Sequence, residues 1–261
     1  VKVYDIPEGG RAAKGRAIVN LIGCEPDEKV SAFIGVKQDQ FHDDHFVVMA
    51  TEKGIVKKTK LSAYSNPRKK GIYAVEIRDG DSLIEARVSN GENDILLGTT
   101  NGKSIRFSEE QIRPSGRKTM GVKGITLSSS DDKVVGMLLI KREGTVLVAT
   151  ENGFGKRTEI IQYRAQKRGG KGVLTMKTTD KIGKMITIKE VVGTDDLMII
   201  RDDGVLIRMP VSQIRSIGRA TQGVKLIKLA EGTKVSAITR IISEEEKTPD
   251  EPKDSPESQE S

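Results

Sequence analysis

Short apolar runs rich in Val, Ile, Leu and Met recur along the chain, each closed by a Gly, Asn or Asp turn signal, and none keeps an apolar period of 3.6 for long. Residues 133–176 contain four such runs: KVVGMLLI (133–140), TVLVAT (145–150), FGKRTEI (154–160) and GVLTM (172–176). The Asn152-Gly153 pair between the second and third predicts a tight hairpin. The same four-part pattern precedes it as SLIEARV, DILLGTT, KSIRF and GITL, and comes after it as MITIKEV, DLMIIRD, VLIRMPV and VKLIKL. KVSA at 29–32 returns at 234–237, a separation of 205 residues that four units of about 51 would fill. The turn glycines Gly54, Gly102, Gly153 and Gly204 lie 48, 51 and 51 residues apart. Repeats of four short strands predict an all-β fold, with blades arranged around an axis in a propeller-like ring. The expected division is a partial blade over 1–25, four repeats over 26–233 and a closing strand over 234–243.

Charge changes the picture. The net charge of +7 conceals two opposed parts: residues 244–261 hold eight acids and two lysines, whereas residues 1–243 hold 42 basic and 29 acidic side chains. The terminal stretch, EEEKTPDEPKDSPESQES, is expected to be a disordered acidic tail, because it has almost nothing apolar to bury. The remainder is strongly basic, which makes nucleic acid the leading partner class.

The cations gather in the loop between the third and fourth runs of every unit. The loops read EGGRAAKGR (8–16), SNPRKKG (65–71), RPSGRKTMGVKG (113–124), RAQKRGGKG (164–172) and RSIGRATQG (215–223). Their candidate anion-contacting cations are Arg11, Lys14 and Arg16; Arg68, Lys69 and Lys70; Arg113, Arg117, Lys118 and Lys123; Arg164, Lys167, Arg168 and Lys171; and Arg215 and Arg219. The final glycines Gly15, Gly71, Gly124, Gly172 and Gly223 are taken as equivalent. Blades in a ring would place these loops around one rim, where cations neutralise phosphates and glycines let backbone N–H groups approach them. Aromatic residues make up only 3% of the chain, with no Trp, so base stacking is poorly served. Duplex DNA held by its backbone is the expected target, with preference set by bendability.

Other chemistry finds little support. GTTNGKS (98–104) has three residues between its glycines where a phosphate-binding loop needs four, and it joins two strands. HDDH (42–45) falls in a lengthened hairpin loop and reads as a polar insertion. The single cysteine, Cys24, cannot make an internal disulfide, and no paired carboxylates mark a catalytic site. No apolar run would span a bilayer and no signal segment opens the chain, so a cytoplasmic location is expected, with no membrane partner.

QKRGGKG (166–172) resembles the signature box Q-R-R-G-G-K-G of the C-terminal domain of the DNA gyrase A subunit, matching six of seven positions with Lys167 in place of the first arginine. VYDIPEGGRAAKGRAIVNL, TEKGIVKKT, NGFGKRT and GRATQGVKLIKL extend the resemblance across residues 1–243. It implies a β-pinwheel, a ring of four-stranded blades that exchange strands, and it implies a role in DNA contact and wrapping for the box residues Gln166, Lys167, Arg168, Gly169, Gly170, Lys171 and Gly172. The family domain wraps duplex DNA around its basic rim and supports ATP-dependent negative supercoiling by the complete type II topoisomerase. It further implies no catalytic site and no cofactor in this chain, with ATP and magnesium bound elsewhere. The implied partners are the N-terminal cleavage domain of the same subunit and the gyrase B subunit in an A2B2 assembly. The family's principal box lies in its first blade and this copy in a late one, so an upstream blade is expected to be missing. The alternatives are the corresponding domain of topoisomerase IV and a propeller-like protein-interaction scaffold.

Overall fold

The computed structural model describes residues 1–10, 14–22, 28–68 and 71–241. Arg11, Cys24, Lys69, Lys70 and the expected tail over 244–261 lie outside the described residues. The architecture is all-β. Three hairpins and their covering strands come first: β1 (Phe46–Thr51), β2 (Ile55–Lys60), β3 (Leu83–Ser89), β4 (Asp94–Thr99), β5 (Lys103–Ser108), β6 (Val122–Lys123), β7 (Val134–Ile140), β8 (Thr145–Thr150), β9 (Phe154–Glu159), β10 (Val173–Leu174) and β11 (Met185–Val191). A fourth hairpin pairs β12 (Asp196–Arg201) with β13 (Leu206–Pro210), and β14 (Val224–Lys225) and β15 (Val235–Ile241) complete the chain order.

The sheets are ordered β3-β1-β2-β6, β7-β4-β5-β10, β11-β8-β9-β14 and β15-β12-β13. A blade is therefore not one sequence repeat, as a plain reading of the four-run units suggests. Each of the first three hairpins is covered on one edge by the first strand of the next repeat and on the other by that repeat's last strand. This exchange is what the resemblance implied. It hides both edges of those hairpins, where free N–H and C=O groups would invite pairing with another chain. The last strands are also shorter than the apolar runs suggest: only two residues of each pair.

The hairpin turn and the exchanged strand are joined at one residue. Gly102 adopts φ +76, and its carbonyl accepts from the N–H groups of Thr175 (2.8 Å) and Met176 (3.0 Å) of the next repeat. A Cβ there would sit 2.0 Å from the Met176 carbonyl oxygen, so close backbone approach and positive φ both demand glycine. Gly54 and Gly153 accept in the same way from Gly124 and Ile125, and from Leu226 and Ile227.

Hairpin strands are apolar on both faces because blades stack face to face. Val48, Ala50 and Val56 pack with Ile95, Leu97, Ile105 and Met137 between the first two blades. Leu96 and Leu138 meet Val148, Met185 and Ile188 between the next pair. Leu147 and Ala149 meet Leu197, Ile199 and Val235 at the last interface. The innermost strands β3, β7, β11 and β15 surround a common cavity of about 910 Å³, which places the loops leading to β6, β10 and β14 on the outside.

Candidate nucleic-acid interface

Each outer loop is built by the same steps. A 3-10 turn (Glu109–Gln111, Ile160–Gln162, Val211–Gln213) ends the hairpin, and a buried side chain (Ile112, Tyr163, Ile214) pins the start of the loop. The next residue, Arg113, Arg164 or Arg215, is exposed. The loop then docks on the preceding blade: Ser115 N–H donates to the Lys58 carbonyl (2.9 Å), Gln166 to Arg106 (2.8 Å) and Ile217 to Arg157 (2.8 Å).

A second arginine in each loop turns inward. Arg117 donates to the Tyr73 carbonyl (3.3 Å), Arg168 to that of Lys123 (3.1 Å) and Arg219 to that of Leu174 (2.8 Å). Each acceptor belongs to the outer segment of the preceding repeat, so the three arginines chain four successive loops together. Arg168 is the most firmly held: its Nε also donates to the Gln111 carbonyl (2.9 Å), and its backbone N–H donates to Gln111 Oε1 (2.9 Å). These three half-buried residues were grouped by sequence with the outward cations, and the structure gives them a framework role.

Two buried lysines that the sequence pattern did not single out support the loops from below. Lys57 Nζ donates to the carbonyls of Ala74 (2.8 Å) and Arg117, and Lys156 Nζ to those of Gly218 (2.7 Å) and Arg219 and to Thr221 Oγ1 (3.1 Å). Burial pushes each ammonium down to about 8, helped by Arg117 and Arg219 respectively. Both lie three residues after a turn glycine, a register that the repeat makes visible in TEKGIVK and NGFGK. Ile105 holds this position beneath QKRGGKG. That loop is fastened instead through Gly169, whose N–H donates to the Gly124 carbonyl (2.7 Å) and whose carbonyl accepts from Thr126 Oγ1 (2.7 Å). Gly170 leaves room against Ile105, with Ile105 Cδ1 3.5 Å from where its Cβ would stand.

The glycine equivalence needs one correction. Gly71, Gly121, Gly172 and Gly223 share positive φ (76°, 95°, 69° and 77°), whereas Gly124 and Gly15 do not. Gly124 is buried against Val56 and Leu97, so Gly121 is the true counterpart of Gly172. A Cβ on Gly172 would lie 2.3 Å from the Ser104 carbonyl oxygen, which leaves only glycine at the start of the exchanged strand.

With the inward groups removed, the outward set is Arg113, Lys118, Lys123, Arg164, Lys167, Lys171 and Arg215, all exposed. Lys225, absent from the sequence-derived candidates, joins them 5.8 Å from the Phe154 ring centroid, and Lys118 stands 5.6 Å from that of Tyr73. Arg68, Lys14 and Arg16 are exposed too, but the described part of the first loop pairs with no sheet edge. Near the hairpin turns Lys133 pairs with Glu52 (2.9 Å), Lys184 with Asp131 (2.9 Å) and Lys234 with Glu151 (2.6 Å). None of the seven outward cations has an ion pair among the described residues.

The polar motifs elsewhere serve local structure. Asp43 of HDDH accepts from Lys60 (2.9 Å) and Ser62 (2.7 Å), and Thr100 of GTTNGKS donates to Asp132 (2.9 Å). No group of three or more His, Cys, Asp or Glu suited to a metal occurs among the described residues. No helix among them is long and apolar enough to cross a membrane.

Blades that exchange their outer strands and carry a rim of outward cations define a β-pinwheel with a cationic edge. A family model described as the DNA gyrase C-terminal domain, beta-propeller, matches residues 1–36, 45–90, 93–141, 144–191 and 195–241, and the chain belongs to that family. It is 43% identical over 248 residues to the DNA gyrase A subunits of Staphylococcus epidermidis and Staphylococcus aureus. The match takes in 94% of this chain and 28% of theirs, so the chain spans little more than a quarter of those relatives. Among solved structures, a DNA gyrase A C-terminal domain superposes with TM-score 0.78 at 21% identity, over 88% of this chain and 76% of that one. The C-terminal domain of a DNA topoisomerase IV superposes with TM-score 0.83 at 23% identity, over 92% and 74%. Both establish likeness of fold.

Proposed function

We propose that the chain binds duplex DNA along its outer loops and bends it around the rim, as the C-terminal domain of a DNA gyrase A subunit. In the complete type II topoisomerase this bending presents a second segment for strand passage and supports ATP-dependent negative supercoiling. ATP and magnesium belong to other parts of that enzyme, as do the cleavage domain and the gyrase B subunit in an A2B2 assembly. The chain then acts in the cytoplasm, where the chromosome lies. The expected division into a partial blade over 1–25, four repeats over 26–233 and a closing strand over 234–243 is kept as part of this reading.

The observation that carries the proposal is the repetition of outward cations in loops that chained arginines hold in series. A polyanion of regular charge spacing is the ligand such a series fits, and a single acidic peptide would engage only part of it. The Staphylococcus relatives favour the gyrase reading over the topoisomerase IV one. Titration with linear duplex at increasing salt tests the proposal. If about ten phosphates are neutralised, log K falls against log salt with a slope near roughly −9. A slope close to zero, or binding confined to one short sequence, overturns it.

A further inference from the structure

The rim leaves another set of cations unexplained. The cavity of about 910 Å³ among the inner strands is lined by Arg87 of β3, Lys141 and Arg142 just after β7, Lys189 of β11 and Arg240 of β15. The carboxylates in its lining are Glu92 and Glu190, so cations are in excess there. Most of these groups are held in place. Lys141 Nζ donates to the Val88 carbonyl (2.8 Å), Arg240 to that of Glu190 (2.9 Å), and Arg142 pairs with Asp195 (3.4 Å). Glu190 Oε1 is occupied by the backbone N–H groups of Lys141 (3.1 Å) and Arg142 (3.0 Å). His45, also in the lining, is engaged by Asp44 (2.9 Å).

Two donors are left over. Among the described residues, the half-buried Lys189 side chain has no hydrogen bond or ion pair, and the buried Nε of Arg87 has no acceptor, although its NH2 pairs with Glu85 (2.7 Å). Lys189 is held below its ordinary lysine value, first by burial, with Arg87 and Arg240 adding repulsion against the pull of Glu85. A desolvated ammonium among other cations costs free energy unless an anion meets it. Leu138, Leu139 and Val88 also line the cavity, beside its charged groups. The volume is that of a small-ligand site, too large for a single simple anion and far too narrow for a duplex.

We propose that the axial cavity is a binding site for a small multivalent phosphate oxyanion of the diphosphate class, with Lys189 as its principal donor and Arg87, Arg240 and Lys141 completing the cationic wall. The site is separate from the rim and does not rest on the DNA reading, since no outward cation of the loops lines it. Occupancy would draw together inner strands of all four sheets.

Calorimetric titration of the full chain with inorganic pyrophosphate, at constant ionic strength and without magnesium, tests this. Saturable binding of one equivalent is expected. Lys189→Met should weaken it about tenfold or more and Lys189→Arg should retain it. The rim variant Arg164→Ala/Lys167→Ala/Lys171→Ala should bind pyrophosphate as the parent does, and saturating pyrophosphate should leave duplex affinity at matched ionic strength unchanged. Should Lys189→Met fail to fold, Thr239→Glu, at an exposed position of the lining, sets a carboxylate in the cavity and should abolish binding. Absence of saturable binding, or loss of it in the rim variant with retention in Lys189→Met, overturns the proposal.

Discussion

Neighbouring cations in QKRGGKG do different work. Lys167 is exposed and free of partners among the described residues, whereas the Arg168 guanidinium spans the carbonyls of Gln111 and Lys123. Arg168→Ala is therefore expected to lower stability by about 1–2 kcal/mol, a fall of roughly 2–6 °C in Tm for a domain of this size, while Lys167→Ala leaves Tm unchanged. Thermal unfolding followed by circular dichroism checks the pair, and equal Tm values for both variants would return Arg168 to the outward set. Lys156 gives a pH signature. Its folded value of about 8 lies below the ordinary lysine value, so between about pH 8 and 10.5 the unfolded chain binds more protons than the native one. The group's contribution to stability consequently rises with pH through that window, and its desolvation cost is fully present below it. The stability of the parent minus that of Lys156→Met is expected to grow from pH 8 to pH 10 in urea titrations. A difference that shrinks would contradict the burial argument.

At the scale of the loop, position in the repeat decides what a residue does. Arg113, Arg164 and Arg215 come directly after a buried anchor and point out, and Arg117, Arg168 and Arg219 lie four residues on and turn in. A test of bending must change the outward group alone. In the complete enzyme, Arg164→Ala/Lys167→Ala/Lys171→Ala is expected to reduce supercoiling more than relaxation, cleavage or duplex affinity, because the other loops still hold the DNA while one anchor of the path is gone. Topoisomer gels beside binding titrations read the two effects. Parallel losses in all four assays would mark the loop as a general cationic patch. The loops on Lys57 and Lys156 gain rigidity from a buried ammonium that gathers carbonyls, and QKRGGKG gains it from packing on Ile105 and from bonds at Gly169.

Across the whole molecule the blades bury apolar strands on both faces, and their outer strands cross from one repeat to the next. Stability is thereby shared between neighbours, as in other repeat proteins. The same crossing spaces the basic loops at each junction between blades, which turns a sequence period into a geometric one. Axis and rim then carry separate cationic linings, one concave, the other on the outer loops.

Much of this was legible in the residues. Apolar runs, the Asn152-Gly153 turn and the period of about 51 specify strands, hairpins and repeats because they act locally, through side-chain alternation and turn geometry. The cations of the outer loops were also legible, since charge in a glycine-rich loop has few places to go. Tertiary structure decided which repeat supplies each outer strand, that Gly121 and not Gly124 matches Gly172, and that Arg168 faces inward while Lys167 faces out. It alone brought Arg87, Lys141, Lys189 and Arg240 from four successive repeats to one cavity. Those outcomes rest on contacts between residues about 50 to 150 positions apart, set by close packing and backbone approach, which no local pattern encodes.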